Sequence, residues 1–278
     1  METLKNKVAL VTGAAAKHSM GRVVALLFAK EGADIIILDK FRAPKSLFAG
    51  DEGWKGLDDV EREIKSLGRE ALSLVTDIND SKEVDEALEK STKKFGKIDI
   101  LVHSAGIRGP MNVPIIDLDE KTWREVIDVN LTGSFLIAKA VAKSMIARNE
   151  GGKIVVIASL GGVKAMPGSG SYCASKWGVL GLTKTMALEL ARYKINVNAI
   201  NPGSFGTHLR DETYLKQAKA EGRPVNEVRE NHNKQLIAGI PLGRLGDLEE
   251  IASLALYLVK EESAYITGEA INITGGVT

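Results

Sequence analysis

A phenol, an ammonium and a hydroxyl fall close together in "SLGGVKAMPGSGSYCASKWG", residues 159–178. Tyr172 and Lys176 are four apart, so on a helix they share one face, and Ser159 stands thirteen residues before the tyrosine. A free tyrosine, with a pKa of about 10, is mostly protonated at neutral pH. An ammonium beside it stabilises the phenolate and lowers that pKa. The pair is then a device for taking and returning one proton. An isolated tyrosine–lysine pair at this spacing is common by chance and usually lies on a surface. Here it follows an apolar, strand-like run, a serine and a Gly-rich loop, and that setting gives it weight.

A second stretch, "TGAAAKHSMGR" (12–22), follows an apolar run and leads into a helical pattern. Gly13 ends the run and Gly21 opens the helix, where unpaired N–H groups and the positive dipole end favour a pyrophosphate. The turn is longer than the usual Gly-rich fingerprint. Ala14, Ala15 and Ala16 are small enough for close backbone approach, Ser19 can donate to a phosphate, and Met20 flanks it. Asp39 closes the next apolar run, "DIIILD". A carboxylate there accepts the adenosine ribose hydroxyls of NAD and repels the 2′-phosphate of NADP. Lys17 and Lys40 lie close enough in sequence to attract such a phosphate, so NADP stays open as the lesser reading. A generic strand–helix turn and a solvated carboxylate are the bland alternatives.

These residues need a scaffold, and the chain alternates between two patterns. Apolar, β-rich runs recur at 7–12, 34–39, 71–77, 98–103, 153–158, 195–201 and 270–273. Several are apolar almost throughout, as strands buried on both faces must be. Between them lie segments with apolar residues at three- and four-residue spacing, several ending in Gly or Asn. One such segment, "WREVIDVNLTGSFLIAKAVAKSMIARN", reads as a single long helix. The alternation predicts an α/β, doubly wound (Rossmann) seven-stranded parallel sheet with helices on both faces. No linker or repeat divides residues 1–278, so one domain is expected.

Composition narrows the function classes. A hydrophobic fraction of 44% and a charged fraction of 26% are those of an ordinary globular protein. A net charge of +1 argues against a nucleic-acid or membrane surface. The single Cys173 leaves no internal disulfide and fits a reducing compartment. No run approaches the roughly 20 apolar residues of a membrane span, and no signal peptide is evident, so a cytoplasmic location is expected. His18, His103, His208 and His232 lack ligand-like spacing, so no metal is expected.

Strand, serine, Gly-rich loop and Tyr172/Lys176 pair together resemble the short-chain dehydrogenase/reductase family, and the resemblance covers nearly the whole chain. "HSAG" (103–106) is similar to the family's Asn-Asn-Ala-Gly segment, with both asparagines replaced. That substitution removes the family's sheet-stabilising side chain and casts His103 as a substitute structural donor. "DVNLTGSF" (128–135) carries Asn130 at the family's helix asparagine, "INPGSFGT" (200–207) matches its Pro-Gly turn with a following threonine, and "TDI" (76–78) matches its adenine-flanking segment. "YITGEAINITGG" (265–276) resembles the closing strand. The long first turn is similar to that of enoyl-carrier-protein reductases. Those enzymes place the lysine seven residues after the tyrosine, so the spacing of four here points to the alcohol/ketone branch.

The resemblance implies an enzyme passing hydride between a secondary alcohol and the nicotinamide, with the cofactor carrying that chemistry. Tyr172 would be the general acid–base, Ser159 would bind the substrate oxygen, and Lys176 would also hold the nicotinamide ribose. Asn130 would anchor a water leading protons from Lys176. Cofactor contacts would come from Gly13, Ser19, Met20, Gly21, Asp39, Asp77, Ile78, Ser104, Ala105, Gly106, Pro202, Gly203, Phe205 and Thr207, besides Tyr172 and Lys176. The partners implied are a small-molecule substrate and further copies of the chain, as a homotetramer or dimer. An NADPH-dependent ketone reductase and a non-catalytic dinucleotide sensor are the rival readings.

Two insertions bear on ligands. Residues 40–56, "KFRAPKSLFAGDEGWKG", are long for a strand–helix loop and follow Asp39, so they are expected to cover the adenosine with Phe41, Leu47, Phe48 and Trp54. Residues 204–240 form a polar excursion expected to act as a substrate lid. Leu160, Val163, Met166, Phe205, Arg108 and Met111 are candidate pocket residues. They are mostly apolar, which suggests a cyclic or medium-sized secondary alcohol.

Overall fold

All seven apolar runs become strands in the computed structural model, which describes residues 2–43 and 51–278. They are β1 (Val8–Thr12), β2 (Asp34–Asp39), β3 (Ala71–Val75), β4 (Ile100–His103), β5 (Gly152–Ile157), β6 (Ile195–Pro202) and β7 (Ala270–Ile273). Every pairing is parallel, and the strand order is β3-β2-β1-β4-β5-β6-β7. The chain builds outward from β1 to β3, then crosses back to lay β4 on the other side of β1. Loops after β1 and β4 therefore diverge and leave a crevice at the strands' carboxyl ends, the ligand position of doubly wound sheets.

Strands apolar on both faces sort their residues by the two-residue period. Ala9, Val11, Ile35, Ile37 and Val102 enter one core, with Val24 and Phe28 of α1 (Met20–Lys30), Ile64 of α2 (Leu57–Ser66) and Ile251 of α9 (Leu248–Val259). Val8, Leu10, Ile36, Leu38 and Leu101 enter the other. There they meet Val84 of α3 (Ser81–Phe95), Ile137 of α5 (Gly133–Arg148) and Val179 of α6 (Gly170–Leu190). Helix ends carry their own signals: Ser19 caps α1 and Asp80 caps α3, which closes on Gly96 in the left-handed conformation.

The structure departs from the sequence reading in two places. The long helical pattern across 123–149 is divided into α4 (Glu120–Ile127), a π-helical turn (Asp128–Thr132) and α5. One extra residue per turn rotates Asn130 inward, and such turns recur at functional sites. The polar excursion 204–240 is largely helical, with α7 (Asp211–Glu221) and α8 (Val225–Ala238) packed through Tyr214, Ala218 and Val228. Apolar periodicity there is too weak to announce helices, and the cluster that joins them is small. No helix among the described residues is long and apolar enough to cross a membrane.

Candidate active site

The turn after β1 works with two glycines because each is needed by packing. Gly13 adopts φ +71°, and a Cβ on it would lie 2.8 Å from Ala105. A Cβ on Gly21 would lie 2.5 Å from the Gly13 carbonyl oxygen, so α1 starts directly against the strand end. Ser19 caps α1 by accepting the Arg22 N–H (3.1 Å), and Met20 begins the helix. Asp39, at the end of β2, accepts the Ala15 N–H (3.0 Å) and so fixes the turn to the neighbouring strand. Burial holds its carboxyl above the usual carboxylate range despite the backbone N–H groups of Ala15, Phe41 and Lys40.

The loop after β4 is held by Thr12, a residue that sequence reasoning did not single out. Its hydroxyl oxygen accepts the N–H groups of Ser104 and Ala105, each at 3.1 Å, and lies 2.8 Å from His103 Nδ1. His103 Nε2 lies 2.9 Å from Ser134 Oγ, whose own proton goes to the Asn130 carbonyl oxygen (2.5 Å). Ser134 Oγ must therefore accept from Nε2–H, which leaves Nδ1 to accept the Thr12 hydroxyl. His103 is thus a neutral relay joining the strand end to the Asn130 turn. Burial, reinforced by the Lys176 charge, pushes its pKa down to about 3.

Asn130, fully buried, spans the same loop from the other side. Its Oδ1 accepts the Ile107 N–H (2.8 Å), while Nδ2 donates to Ile107 O (2.9 Å) and Ser175 Oγ (3.0 Å). A Cβ on Gly106 would meet Asn130 Oδ1 at 3.1 Å and Lys176 Nζ at 3.7 Å, so these groups converge there. Ser175, on α6, is a second residue that sequence reasoning did not single out.

Tyr172 and Lys176 sit in the first two turns of α6 and are both buried. The lysine donates to the Ile157 carbonyl (3.2 Å) at the end of β5, and Nζ lies 5.8 Å from the Tyr172 ring centroid. Ser159, just beyond β5, accepts the Gly161 N–H (3.0 Å) and hydrogen-bonds the Tyr172 phenol. Arg108 lies over the same ring, its guanidinium carbon 4.2 Å from the centroid, and also bonds the phenol. Burial pushes the Tyr172 pKa up, but the Lys176 and Arg108 charges and these hydrogen bonds outweigh it, leaving it below the ordinary 10.0. Burial, with Arg108, likewise lowers Lys176 against the pull of Tyr172.

Other expected residues divide. Asp77 binds Lys40 Nζ (2.8 Å) and accepts the Asn79 N–H (3.1 Å), and Ile78 packs where a Gly133 Cβ would be. Pro202 ends β6, and the Gly203 N–H bonds Ile273 O (2.9 Å), a Cβ on it being 2.9 Å from Thr274 Cα. Thr207 caps the short turn His208–Arg210 through the Leu209 N–H (3.4 Å). Phe205 is buried, its ring packed against Gly246, where no room exists for a Cβ. Met166 stays near the Tyr172 ring across Gly161, and Val163 is exposed. Within 40–56, residues 44–50, including Leu47 and Phe48, lie outside the described residues. Trp54 does not lie free: its Nε1–H donates to Ala15 O (2.8 Å), and Arg22 covers its ring at 5.2 Å. Buried Asp51 binds Lys17 (3.2 Å), His18 (3.4 Å) and His208 (3.2 Å), tying this insertion to the first turn and to the segment before α7.

Residues 13–278 match a family model described as enoyl-(acyl carrier protein) reductase. The chain is 36% identical over 274 residues to the 3-oxoacyl-(acyl-carrier-protein) reductase of Thermotoga maritima, covering 99% of this chain and 98% of that one. It superimposes on a short-chain type dehydrogenase/reductase from Mycobacterium marinum with TM-score 0.84 and 33% identity, covering 100% of this chain and 97% of the other. An NAD⁺-bound xylitol dehydrogenase gives TM-score 0.84 and 34% identity over 98% of this chain and 99% of the other. A crevice at the sheet's switch point, lined by a buried Ser/Tyr/Lys cluster, defines a dinucleotide-dependent oxidoreductase. The chain belongs to the short-chain dehydrogenase/reductase family.

Proposed function

We propose that this protein is an NAD-dependent oxidoreductase that interconverts a secondary alcohol and its ketone, with Tyr172 as the general acid–base. The observation that carries the reading is the buried Tyr172 with Lys176 Nζ 5.8 Å from its ring centroid and Arg108 4.2 Å over the same ring, charges that hold the phenol below its ordinary pKa. In oxidation, Tyr172 takes the hydroxyl proton of the substrate; in reduction it returns one. Ser159 orients the substrate oxygen, and Lys176 both stabilises phenolate and binds the nicotinamide ribose. Asn130, which borders Gly106 as Lys176 does, anchors the water that replenishes the proton. The nicotinamide, when bound, supplies the hydride acceptor or donor.

The donor set fits NAD. Asp39 stands at the end of β2 as a ribose ligand, and α1 begins beside it, its N-terminal end suited to a phosphate. Both lysines able to attract a 2′-phosphate are engaged with carboxylates, Lys40 with Asp77 and Lys17 with Asp51. Gly13, Ser19, Met20, Gly21, Ser104, Ala105, Gly106, Pro202, Gly203 and Thr207 supply the remaining contacts, and the Asp51–Trp54 tail covers the adenosine side. The NAD⁺-bound xylitol dehydrogenase supports the same cofactor and an alcohol substrate. The Thermotoga maritima relative, a 3-oxoacyl-(acyl-carrier-protein) reductase by name, favours the second reading, a ketone reductase, for which NADPH is the rival cofactor. Residues 1–278 would act as one domain, with 204–240 as the lid, in a cytoplasmic dimer or tetramer.

The test sets a panel of secondary alcohols with NAD and NADP, and of ketones and 3-oxoacyl thioesters with NADH and NADPH, against wild type and Tyr172→Phe. Wild type should turn over alcohols with NAD. Tyr172→Phe should lose roughly 10²-fold or more of turnover while NADH affinity is kept. Near-normal turnover in the variant refutes the assignment. Dinucleotide binding without turnover of any panel member would make the protein a sensor.

A further inference from the structure

The chemistry around Tyr172 contains more positive charge than proton transfer requires. Arg108 follows β4, Arg210 ends the turn before α7, and His232 lies on α8, so three separate elements contribute. Arg108 lies 4.2 Å over the Tyr172 ring and hydrogen-bonds its phenol. Its Nε is buried without a hydrogen-bond partner, as is His232 Nε2. Arg108 and Arg210 act on one another, and both act on His232, whose ring meets Tyr214 edge-on at 5.6 Å. Among the described residues neither arginine has a carboxylate partner. Asp211, next in the chain to Arg210, is turned toward His208 at 3.9 Å.

An arginine cannot shed its charge as a lysine can, and a buried unpaired charge is costly. A fold that keeps the Arg108 guanidinium over a reactive phenol, with its Nε and His232 Nε2 buried and unsatisfied, is arranged for an anion that arrives from outside. We propose that Arg108, Arg210 and His232 form a carboxylate-recognition subsite, and that the substrate is a short hydroxy acid or the matching oxo acid. This rests on the alcohol/ketone reading above. Because Arg108 reaches both the phenol and the subsite, the carboxylate stands only a few bonds from the carbinol carbon. Met166 and Leu160 offer an apolar wall for the rest of the molecule. The apolar pocket expected from sequence is therefore one side of an amphipathic site.

The guanidinium fork selects planar carboxylates over neutral isosteres by two parallel hydrogen bonds. Uncharged amides of the same skeleton therefore bind more weakly.

The experiment compares matched pairs, each a short 2- or 3-hydroxy acid and its primary amide, on the full-length protein with NAD. Wild type should favour the acid in kcat/KM by about 10²-fold, and Arg108→Met and Arg210→Met should each reduce that ratio at least tenfold, mainly through KM. Arg108→Lys, which keeps charge but not the fork, should restore part of it. Calorimetric titration of the NAD-loaded protein with non-oxidisable short carboxylates reads the subsite without turnover, and should show binding that Arg210→Met weakens tenfold. Turnover of amides equal to that of acids, with no carboxylate binding by calorimetry, overturns the subsite and leaves the alcohol/ketone reading standing. Carboxylate binding that depends on both arginines, with no turnover of either class, keeps the subsite and overturns the alcohol/ketone reading. Circular dichroism and NADH binding separate a misfolded variant from an informative one, and Arg108→Lys covers failure of Arg108→Met.

Discussion

Replacing His103 with Asn should change how stability depends on pH, by an amount the buried relay fixes. In the folded protein the imidazole is held neutral, with a pKa of about 3; in the unfolded chain it titrates at about 6.5. The folded pKa is depressed, so between these values the unfolded state binds a proton that the folded state refuses. Stability is fully present above pH 6.5 and falls as pH drops toward 3. At about 1.36 kcal/mol per unit, the loss between pH 7.5 and pH 5 is about 2 kcal/mol. Wild type alone would conceal it. Asp211, raised by burial to about 7, works with the opposite sign: the folded state keeps a proton there, and its contribution grows as pH falls through 7. The difference between wild type and His103→Asn cancels Asp211 and isolates the histidine. At pH 7.5 the variant should be less stable by about 2–4 kcal/mol, from two weakened hydrogen bonds to Thr12 and Ser134 and a small cavity. By pH 5 that gap should shrink by about 2 kcal/mol. Urea unfolding at fixed pH, extrapolated linearly to water, measures it. A gap independent of pH would mean that the ring takes up its proton in the folded protein as it does in the unfolded chain, and the relay would be wrong.

Three further expectations follow from the cofactor side and the surface. Asp39→Ala removes both the ribose ligand and the acceptor for the Ala15 N–H. It should erase most of the preference for NADH over NADPH in fluorescence titrations, and an unchanged preference would shift the determinant to Lys17 and Lys40. Trp54→Ala frees the Ala15 carbonyl and uncovers Arg22; NADH displacement by stopped flow should show release about three- to tenfold faster. An unchanged rate would make the insertion a packing element only. The exposed Phe135, Trp177 and Leu188 of α5 and α6 should be covered by another copy, so light scattering should give a dimer or tetramer, and a monomer at dilute concentration would contradict this.

The sequence by itself determined the sheet and the chemistry of its reactive helix. Runs apolar on both faces, such as β1 and β2, can only be buried between two helical layers, so strand number and parallel pairing followed from the alternation along the chain. Tyr172 and Lys176 shared a face because a helix repeats every 3.6 residues, whatever surrounds it. Tertiary structure alone decided what those residues touch. Thr12 and His103 meet because β1 and β4 are neighbours, a pairing between positions 91 apart that no local pattern announces. Asn130 turns inward only because a π-helical turn interrupts a pattern that reads as continuous helix. That the Phe205 ring packs against Gly246, some forty residues on, is likewise a contact no local pattern announces. Arg108 could be named from sequence only as one candidate pocket residue among several, because its place over the Tyr172 ring depends on how distant segments meet. Periodicity and residue type are local and survive in the sequence; pairing, and failure to pair, are relations between distant segments and exist only once the chain has folded.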